Sequence, residues 1–526
     1  MAGVGFELKK LFRSKRGYLD TVRGYLVTAA VTEGPMVLNI VLLFSVRLLL
    51  RLYGAGYNVQ ELYLITTTYV MIFSLLLSNV FLMLVSRFIS DSIYQDRKEQ
   101  ILPSFFSLLF YLLVLGGLVS GIYLMLLDLA FTYKVLLFLQ FELMLVMWVQ
   151  MSYLSAVKKY SKVLIGFLVS SFAAIGLSLV LMVLGVEILT AAYLGSAAGF
   201  FLMVVLYMQE MVSFFPGGPM RLGTLLPYVG QYRSLMLTGF LSALGLFGHN
   251  FVYWCSDYHT RVIPRMVYCM KYDVAAFFAS LTIVPYLVIF VVALEVNFYK
   301  AYRSYFDTIL YGGTLEEIRV EKRNLSLTLF RELAHVFELQ FFVELLCVTF
   351  LGNFLQMIGF DREMLIIFRY LCIGYCFYVL VKSLVILLLY FDDRAGALTL
   401  SALFAASSIL LSALTLFFGV ETYGLGFLGA GILTSVAGLV KLYRYVNRLE
   451  YQVFCSQPLV YEEPSGLFRR MADYLETHQE GPGDFKAHYK PTRRQQRRIK
   501  RRERAAARRG RHGARPAQEE PQHETQ

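Results

Sequence analysis

A chain of 526 residues that is 57% hydrophobic and only 16% charged, with a formal net charge of +12, lies far from the composition of a soluble globular domain. Apolar runs of about 20 residues, enough to cross a bilayer core of about 30 Å, recur along nearly all of it. The chain is therefore read as an integral membrane protein, and a soluble domain of any kind is excluded as its body.

The polar start, residues 1–23, carries Lys9, Lys10, Arg13, Lys15 and Arg16 and sets Phe6, Leu11 and Phe12 among them, as an amphipathic segment on the inner leaflet would. The run that follows is too long for the core of a signal peptide and has no small-residue cleavage site, so it is expected to stay as the first span. Six spans are predicted at 24–50, 62–88, 101–126, 131–155, 161–184 and 188–209. Phe215-Pro216-Gly217-Gly218-Pro219 then interrupts the pattern. Six more follow at 234–254, 273–295, 336–358, 364–391, 396–419 and 425–446. The expected fold is all-α: a polytopic membrane protein with about twelve transmembrane helices in two six-helix bundles, 24–214 and 234–446, joined by a linker at 215–233.

Within the second bundle, 296–335 is the longest internal loop. Tyr299, Tyr302, Phe306 and Ile309 recur at helical spacing there, Gly312-Gly313 ends that helix, and Thr314 with Glu317 has the form of a capping box opening another. Residues 447–526 form a basic tail whose arginine-rich stretch from about Arg493 suits anionic lipid or a solvated, disordered role. No recognition module accompanies it, so nucleic acid is not an expected partner. Lys and Arg are concentrated in alternate loops, which predicts a multi-pass protein of the cytoplasmic membrane with both termini in the cytoplasm. The connection between the seventh and eighth spans is the exception, since it lies outside yet carries Arg261, Arg265 and Lys271. Cys255 and Cys269 fall in the same connection, where a disulfide or two reduced thiols would each be consistent with the sequence.

Several motifs are read as packing. Gly117-x-x-x-Gly121, Gly195-x-x-x-Gly199 and the glycines at 424, 426, 429 and 431 fit close helix crossings, and Cys372 with Cys376 fits an apolar helix face. Asp392-Asp393 sits where a helix N-cap is needed. The chain lacks the soluble nucleotide-sugar domain of a processive glycosyltransferase, which needs roughly 100 residues or more, and it lacks a phosphate-binding glycine loop. No enzyme activity, cofactor or metal site is expected; a carrier or channel remains.

The charges within the spans then become the candidates. At 1.5 Å per residue Glu33 lies about 13 Å inside its helix, and Glu142, Glu344 and Lys382 fall at a similar depth in theirs. Arg369 and His249 lie nearer the outer mouth. A midplane layer of ionisable groups drawn from both halves is the signature of a water-filled cavity, although Glu344 could instead pair with Lys382 to fix helix register. Beside Glu33, Gly34 and Pro35 remove a backbone hydrogen bond and offer a hinge.

The opening MAGVGFELKKL, followed by a span carrying Gly34-Pro35, resembles the start of the PelG family of exopolysaccharide transporters, within the multidrug/oligosaccharidyl-lipid/polysaccharide flippase superfamily. The resemblance implies export of a polymer rich in galactosamine and N-acetylgalactosamine for the biofilm matrix. It also implies a cytoplasmic glycosyltransferase partner (PelF-like), membrane partners (PelD-like and PelE-like) and control by cyclic-di-GMP. A partly cationic polymer would suit Glu33, Glu142 and Glu344. Two other readings fit the same fold: a lipid-linked oligosaccharide flippase using Arg47, Arg369 and Lys382 for a pyrophosphate, and a cation-coupled small-molecule antiporter.

Overall fold

The computed structural model describes residues 34–155, 160–218, 221–357, 359–455 and 467–479. Two compact units divide the chain, Met1–Thr477 and His478–Gln526, and every helix up to Phe454 lies in the first. The predicted Glu33 site, the N-terminal segment and the arginine-rich tail lie outside the described residues, and Gly34 and Pro35 are described only as the first backbone positions of a helix.

Among the described residues the first half has six α-helices: α1 (Gly34–Leu52), α2 (Tyr57–Tyr94), α3 (Ile101–Met125), α4 (Phe131–Ser155), α5 (Tyr160–Val183) and α6 (Ile188–Phe214). A short α7 (Leu226–Gln231) leads into the second half, which begins with α8 (Arg233–Trp254) and a two-stranded hairpin, β1 (Thr260–Ile263) and β2 (Met266–Tyr268). There follow α9 (Met270–Leu281), α10 (Val284–Val292), α11 (Tyr299–Leu310), α12 (Leu315–Leu346), α13 (Gly352–Met357), α14 (Arg362–Tyr390), α15 (Arg394–Thr415), α16 (Leu425–Asn447), α17 (Leu449–Phe454) and α18 (Leu467–Gln479). Among the described residues, 10 helices are long and apolar enough to cross a membrane. They correspond to all the expected spans except the first, of which only the part from Gly34 is described, and the eighth.

The eighth span is not one helix, contrary to the sequence reading. It breaks between Leu281 and Val284, and a π-helical turn, Ala293–Phe298, follows the second piece. Pro285 is the cause, because it offers no N–H and its ring crowds the carbonyl four residues back, that of Leu281. The Thr282 carbonyl lies in the break itself, and the Gln340 side-chain amide donates to it at 3.0 Å, which satisfies a group the bilayer could not. The loop at 296–335 also differs from expectation. Its capping box forms, with Glu317 accepting from the Thr314 amide at 2.7 Å, but the helix it opens runs unbroken from Leu315 to Leu346 and becomes the ninth span. Asp393 caps α15 as expected, accepting from the Gly396 amide at 2.8 Å.

Close crossings follow the glycines. A Cβ at Gly195 would lie 2.7 Å from the Ser178 nitrogen and 2.8 Å from the Ala174 carbonyl, so α5 and α6 touch backbone to backbone. Gly239 of α8 approaches the Asn79 carbonyl of α2 in the same way, and this crossing joins the two halves. Gly121, by contrast, meets only the Phe138 ring at 3.9 Å.

The hairpin is the element that sequence reasoning missed. Arg265 takes a left-handed conformation (φ 69°) at its turn, and Thr260 pairs with Tyr268 at its base. It reaches across to the first half, where the Tyr69 hydroxyl donates to the Val267 carbonyl at 2.6 Å and the Tyr123 hydroxyl donates to the Arg265 carbonyl at 3.1 Å. The Arg265 guanidinium donates to the Leu126 carbonyl at the end of α3. Lys271 pairs with Asp361 and Glu363 at the start of α14. Two of the three cations that broke the loop-charge pattern, Arg265 and Lys271, are thus structural anchors. The bond from Lys271 to Glu363 also raises the lysine above its ordinary pKa. The disulfide alternative is not realised: Cys255 is an exposed free thiol beyond α8, and Cys269 is a buried one at the start of α9. Backbone pairing at the hairpin base already holds the two ends of the loop together.

Two outcomes are expected from this packing. Gly195→Ala should lower the thermal stability of the detergent-solubilised protein, by an overpacking cost of about 1–3 kcal/mol, while Gly121→Ala should be neutral or gain up to about 1 kcal/mol of helix propensity. Maleimide labelling of the native protein, mapped by mass spectrometry, should modify Cys255 without reductant and leave Cys269 unmodified; protection of Cys255 relieved only by reductant would restore the disulfide.

Candidate substrate-binding site

One face of α2 presents Thr66, Tyr69, Val70 and Phe73, spaced by three and four residues as a single helical stripe must be. Ser120 and Tyr123 of α3, Leu137 and Phe141 of α4, Phe251 and Trp254 of α8, and Met266 of the hairpin also line this wall, which bounds a cavity between the two halves. Its volume is about 550 Å³, within the range of small-ligand sites.

Flat rings dominate that wall. Tyr69 and Trp254 stack at 4.8 Å with 6° between their planes, Tyr123 continues the stack at 6.4 Å from Tyr69, and Phe73 lies parallel to Phe251 at 5.6 Å. Their polar ends are pinned outside the apolar surface. The Trp254 indole donates to Asp273 at 2.8 Å, and the Tyr69 hydroxyl is held by Val267. Pinned rings lose little freedom when a ligand arrives, so the surface is preorganised for flat, weakly polar faces.

The halves meet at both ends of this chamber. At the hairpin end, Glu61 of α2 is buried, with Arg47 of α1 at 2.5 Å and the Tyr268 hydroxyl donating at 2.6 Å. At the opposite end Arg87 of α2 reaches Asp91 at 3.2 Å and, across the halves, Asp392 at 3.8 Å. The guanidinium groups of Arg87 and Arg394 both lie over the Tyr232 ring, 5.7 and 4.9 Å from its centroid. The two closures differ in strength. Asp392 is 51% exposed and its contact with Arg87 is worth about 1 kcal/mol at most, whereas Glu61 is 4% exposed and depends on its partners.

None of the described candidates from the sequence lines this cavity. Glu142 lies between α4 and α3, its carboxylate against Gly116 and Gly117 and facing the Ser120 side chain, which itself lines the cavity. Glu344 belongs to the second half, where its Oε1 lies 2.7 Å from the Thr282 hydroxyl and accepts from Gln340 at 2.6 Å. The alternative pairing of Glu344 with Lys382 is not formed; Lys382 is exposed on α14, as is Arg369. His249 is fully buried, with Nδ1 2.7 Å from the Tyr272 hydroxyl and its ring 4.2 Å from that of Phe427. Among the described residues, no three His, Cys, Asp or Glu side chains gather as a metal site. The residues that sequence reasoning passed over, Glu61 and the Tyr69–Trp254 stack, carried weak signals: an acidic residue near a span start and single aromatics among many.

No protein of curated function matches the chain in sequence. In fold it is similar to a multidrug resistance MATE transporter of the MOP superfamily in its outward-facing conformation, with 15% identity, a TM-score of 0.54, and coverage of 80% of this chain and 96% of that one. A MATE protein in a bent conformation gives 13% identity and a TM-score of 0.57, covering 81% and 94%. A MOP-superfamily transporter from Pyrococcus furiosus, described as having a binding pocket of reversed polarity, gives 12% and 0.51, covering 81% and 96%. These likenesses establish the fold of a polytopic transporter. The family model PelG, described as "Putative exopolysaccharide Exporter (EPS-E)", matches residues 1–454, and the chain belongs to that family.

Proposed function

We propose that this chain carries an amino-sugar-rich, Pel-like exopolysaccharide across the cytoplasmic membrane for the biofilm matrix, without catalysing a reaction of its own. It would receive the polymer from a cytoplasmic glycosyltransferase and work beside PelD-like and PelE-like membrane partners. In this reading both termini are cytoplasmic, the hairpin closes the external end, and Arg87 with Asp392 closes the cytoplasmic end. The observation that carries it is the cavity between the halves. Its stacked rings offer apolar platforms to the C–H faces of sugar rings, while its few polar wall atoms would not hold a hydrated chain in place. A conduit for a long polymer needs contacts that are easily exchanged, and such a wall provides them. Glu33, next to Gly34-Pro35, would meet amino groups or a coupling cation, with Glu142, Glu344, Lys382, Arg369 and His249 as further groups along the path or its coupling machinery.

The flippase reading is weaker on one point. Arg47, a candidate for holding a pyrophosphate, already spends its charge on Glu61. Arg369 and Lys382 alone would have to neutralise the headgroup.

Polysaccharide secretion by cells carrying variants tests the proposal. Trp254→Ala should reduce secretion about tenfold or more at unchanged membrane abundance, as loss of roughly 1.4 kcal/mol of contact would do, and Trp254→Phe should retain most of it. Glu33→Gln should abolish secretion in the same assay. Full secretion by Trp254→Ala would remove the cavity from the path. Reporter fusions after Gln100, Pro216 and Leu449 should score cytoplasmic, and one after Tyr258 external; any reversal overturns the assignment of the two ends.

A further inference from the structure

The break in the eighth span holds more polar atoms than its protons can satisfy if every group is in its usual ionisation state. The Thr282 hydroxyl oxygen lies 2.6 Å from the Ala279 carbonyl oxygen and 2.7 Å from Glu344 Oε1. A hydroxyl has one proton, and a peptide carbonyl can only accept. The Gln340 amide fixes the rest of the count. One of its N–H bonds goes to the Thr282 carbonyl at 3.0 Å and the other to Glu344 Oε1 at 2.6 Å, so its orientation is set and it has none left for Thr282 Oγ1. Every contact is satisfied at once only when Glu344 is a carboxylic acid, donating from Oε1 to the Thr282 hydroxyl, which in turn donates to Ala279.

The surroundings agree. Glu344 and Gln340 are each 1% exposed, and no nitrogen or oxygen donor reaches Glu344 Oε2, which leaves the weakly donating Cys372 thiol as the neighbour of the carboxyl. The titratable groups facing the carboxyl are thiols: Cys347 of its own helix continuation, and Cys372 and Cys376 of α14. No charged group faces it from the α9–α10 junction. Arg369 of α14 ends beside Gly352, about 12 Å further along the axis of α12 and its continuation, and Lys382 is exposed about 15 Å along α14 from Cys372. A lone ionised carboxylate buried without a cation would cost several kcal/mol.

We infer that Glu344 holds a proton in this conformation and that release of this proton loosens the break at Thr282, making the pair a proton-sensitive joint in the transporter. On release, the proton passes from the carboxyl to water. The carboxylate then takes the Thr282 hydroxyl proton as a hydrogen bond, and the Ala279 carbonyl keeps only its 3.2 Å bond from the Thr282 amide. The last turn of α9 thereby loses a tie. Two neighbouring π-helical turns, Ala293–Phe298 and Cys347–Leu351, mark both spans as already departing from regular helix, as functional joints often do. The meaning of the joint rests on the transporter reading, but its test does not.

Infrared difference spectra of the purified full chain in detergent read the proton directly. At neutral pH the wild type should show a protonated-carboxyl carbonyl band, shifting in D2O, that Glu344→Gln lacks. Thr282→Val removes the acceptor and should move that band to higher frequency, which keeps the test open if Glu344→Gln folds poorly. Identical neutral-pH spectra for wild type and Glu344→Gln, or a band unmoved by Thr282→Val, would overturn the assignment. Amide exchange across 279–285, compared at each pH with Glu344→Gln, reads the joint. The wild type should exchange about tenfold faster than the variant once the band has titrated away, and equal exchange would refute the coupling. Spectra and exchange report on Glu344 whether or not polysaccharide secretion behaves as proposed.

Discussion

Glu61 is a buried acid at the hairpin end of the chamber, and the contact between the two halves there is organised around its neutralisation. Arg47 supplies the opposite charge from α1, and the Tyr268 hydroxyl supplies a further proton from the hairpin. Removing one partner from a fully buried pair costs about 3–5 kcal/mol, and here somewhat less because Arg47 is 27% exposed. Either way the three groups must stay together. The hairpin is consequently held over the cavity, Val267 is placed to fix the Tyr69 hydroxyl, and the aromatic stack is set in plane. Charge pairing at one end of the molecule thus determines the shape of an uncharged surface in its middle.

The second half solves a different problem. Pro285 leaves the eighth span without a continuous ladder, and in a bilayer no water is at hand to take the backbone groups in the break. Gln340 of the neighbouring span does so, and Glu344 one turn later takes the Thr282 side chain. A structural repair and a titratable group therefore occupy one spot, and the mobility of the break depends on the protonation of its repair.

Much of the architecture was legible in the sequence because hydrophobic length is a strong signal. Ten apolar runs became spanning helices, and local rules that involve only neighbouring residues, such as the Thr314–Glu317 capping box and the Asp393 cap, held to the residue. What failed was long-range. Nothing in the alternation of Arg261, Val262 and Ile263 reveals that their strand would lean on α2, and the break at Pro285 was hidden inside an unbroken apolar run. For the site, depth arguments picked out Glu344, which is buried, and Glu142, which is half-buried, but depth says nothing of which face of a helix they occupy. The flat faces of the cavity wall come from Tyr, Trp and Phe, set among Leu, Val and Met, residue types whose abundance in this chain makes each individually uninformative.

The continuity of α12 has a mechanical consequence. Its 32 residues make a rod of about 48 Å whose charged first turns, Glu316 to Arg331, stand apart from the apolar stretch that ends at Glu344 and Leu346. Had the loop helix and the span been separate pieces, a flexible elbow between them would have absorbed any push applied to the first. As one rigid lever it cannot. A tilt of about 5° imposed at the polar end displaces the other end by about 4 Å, which is comparable to a whole side-chain contact. Whatever grips the charged turns therefore acts directly on the carboxyl group at the broken helix.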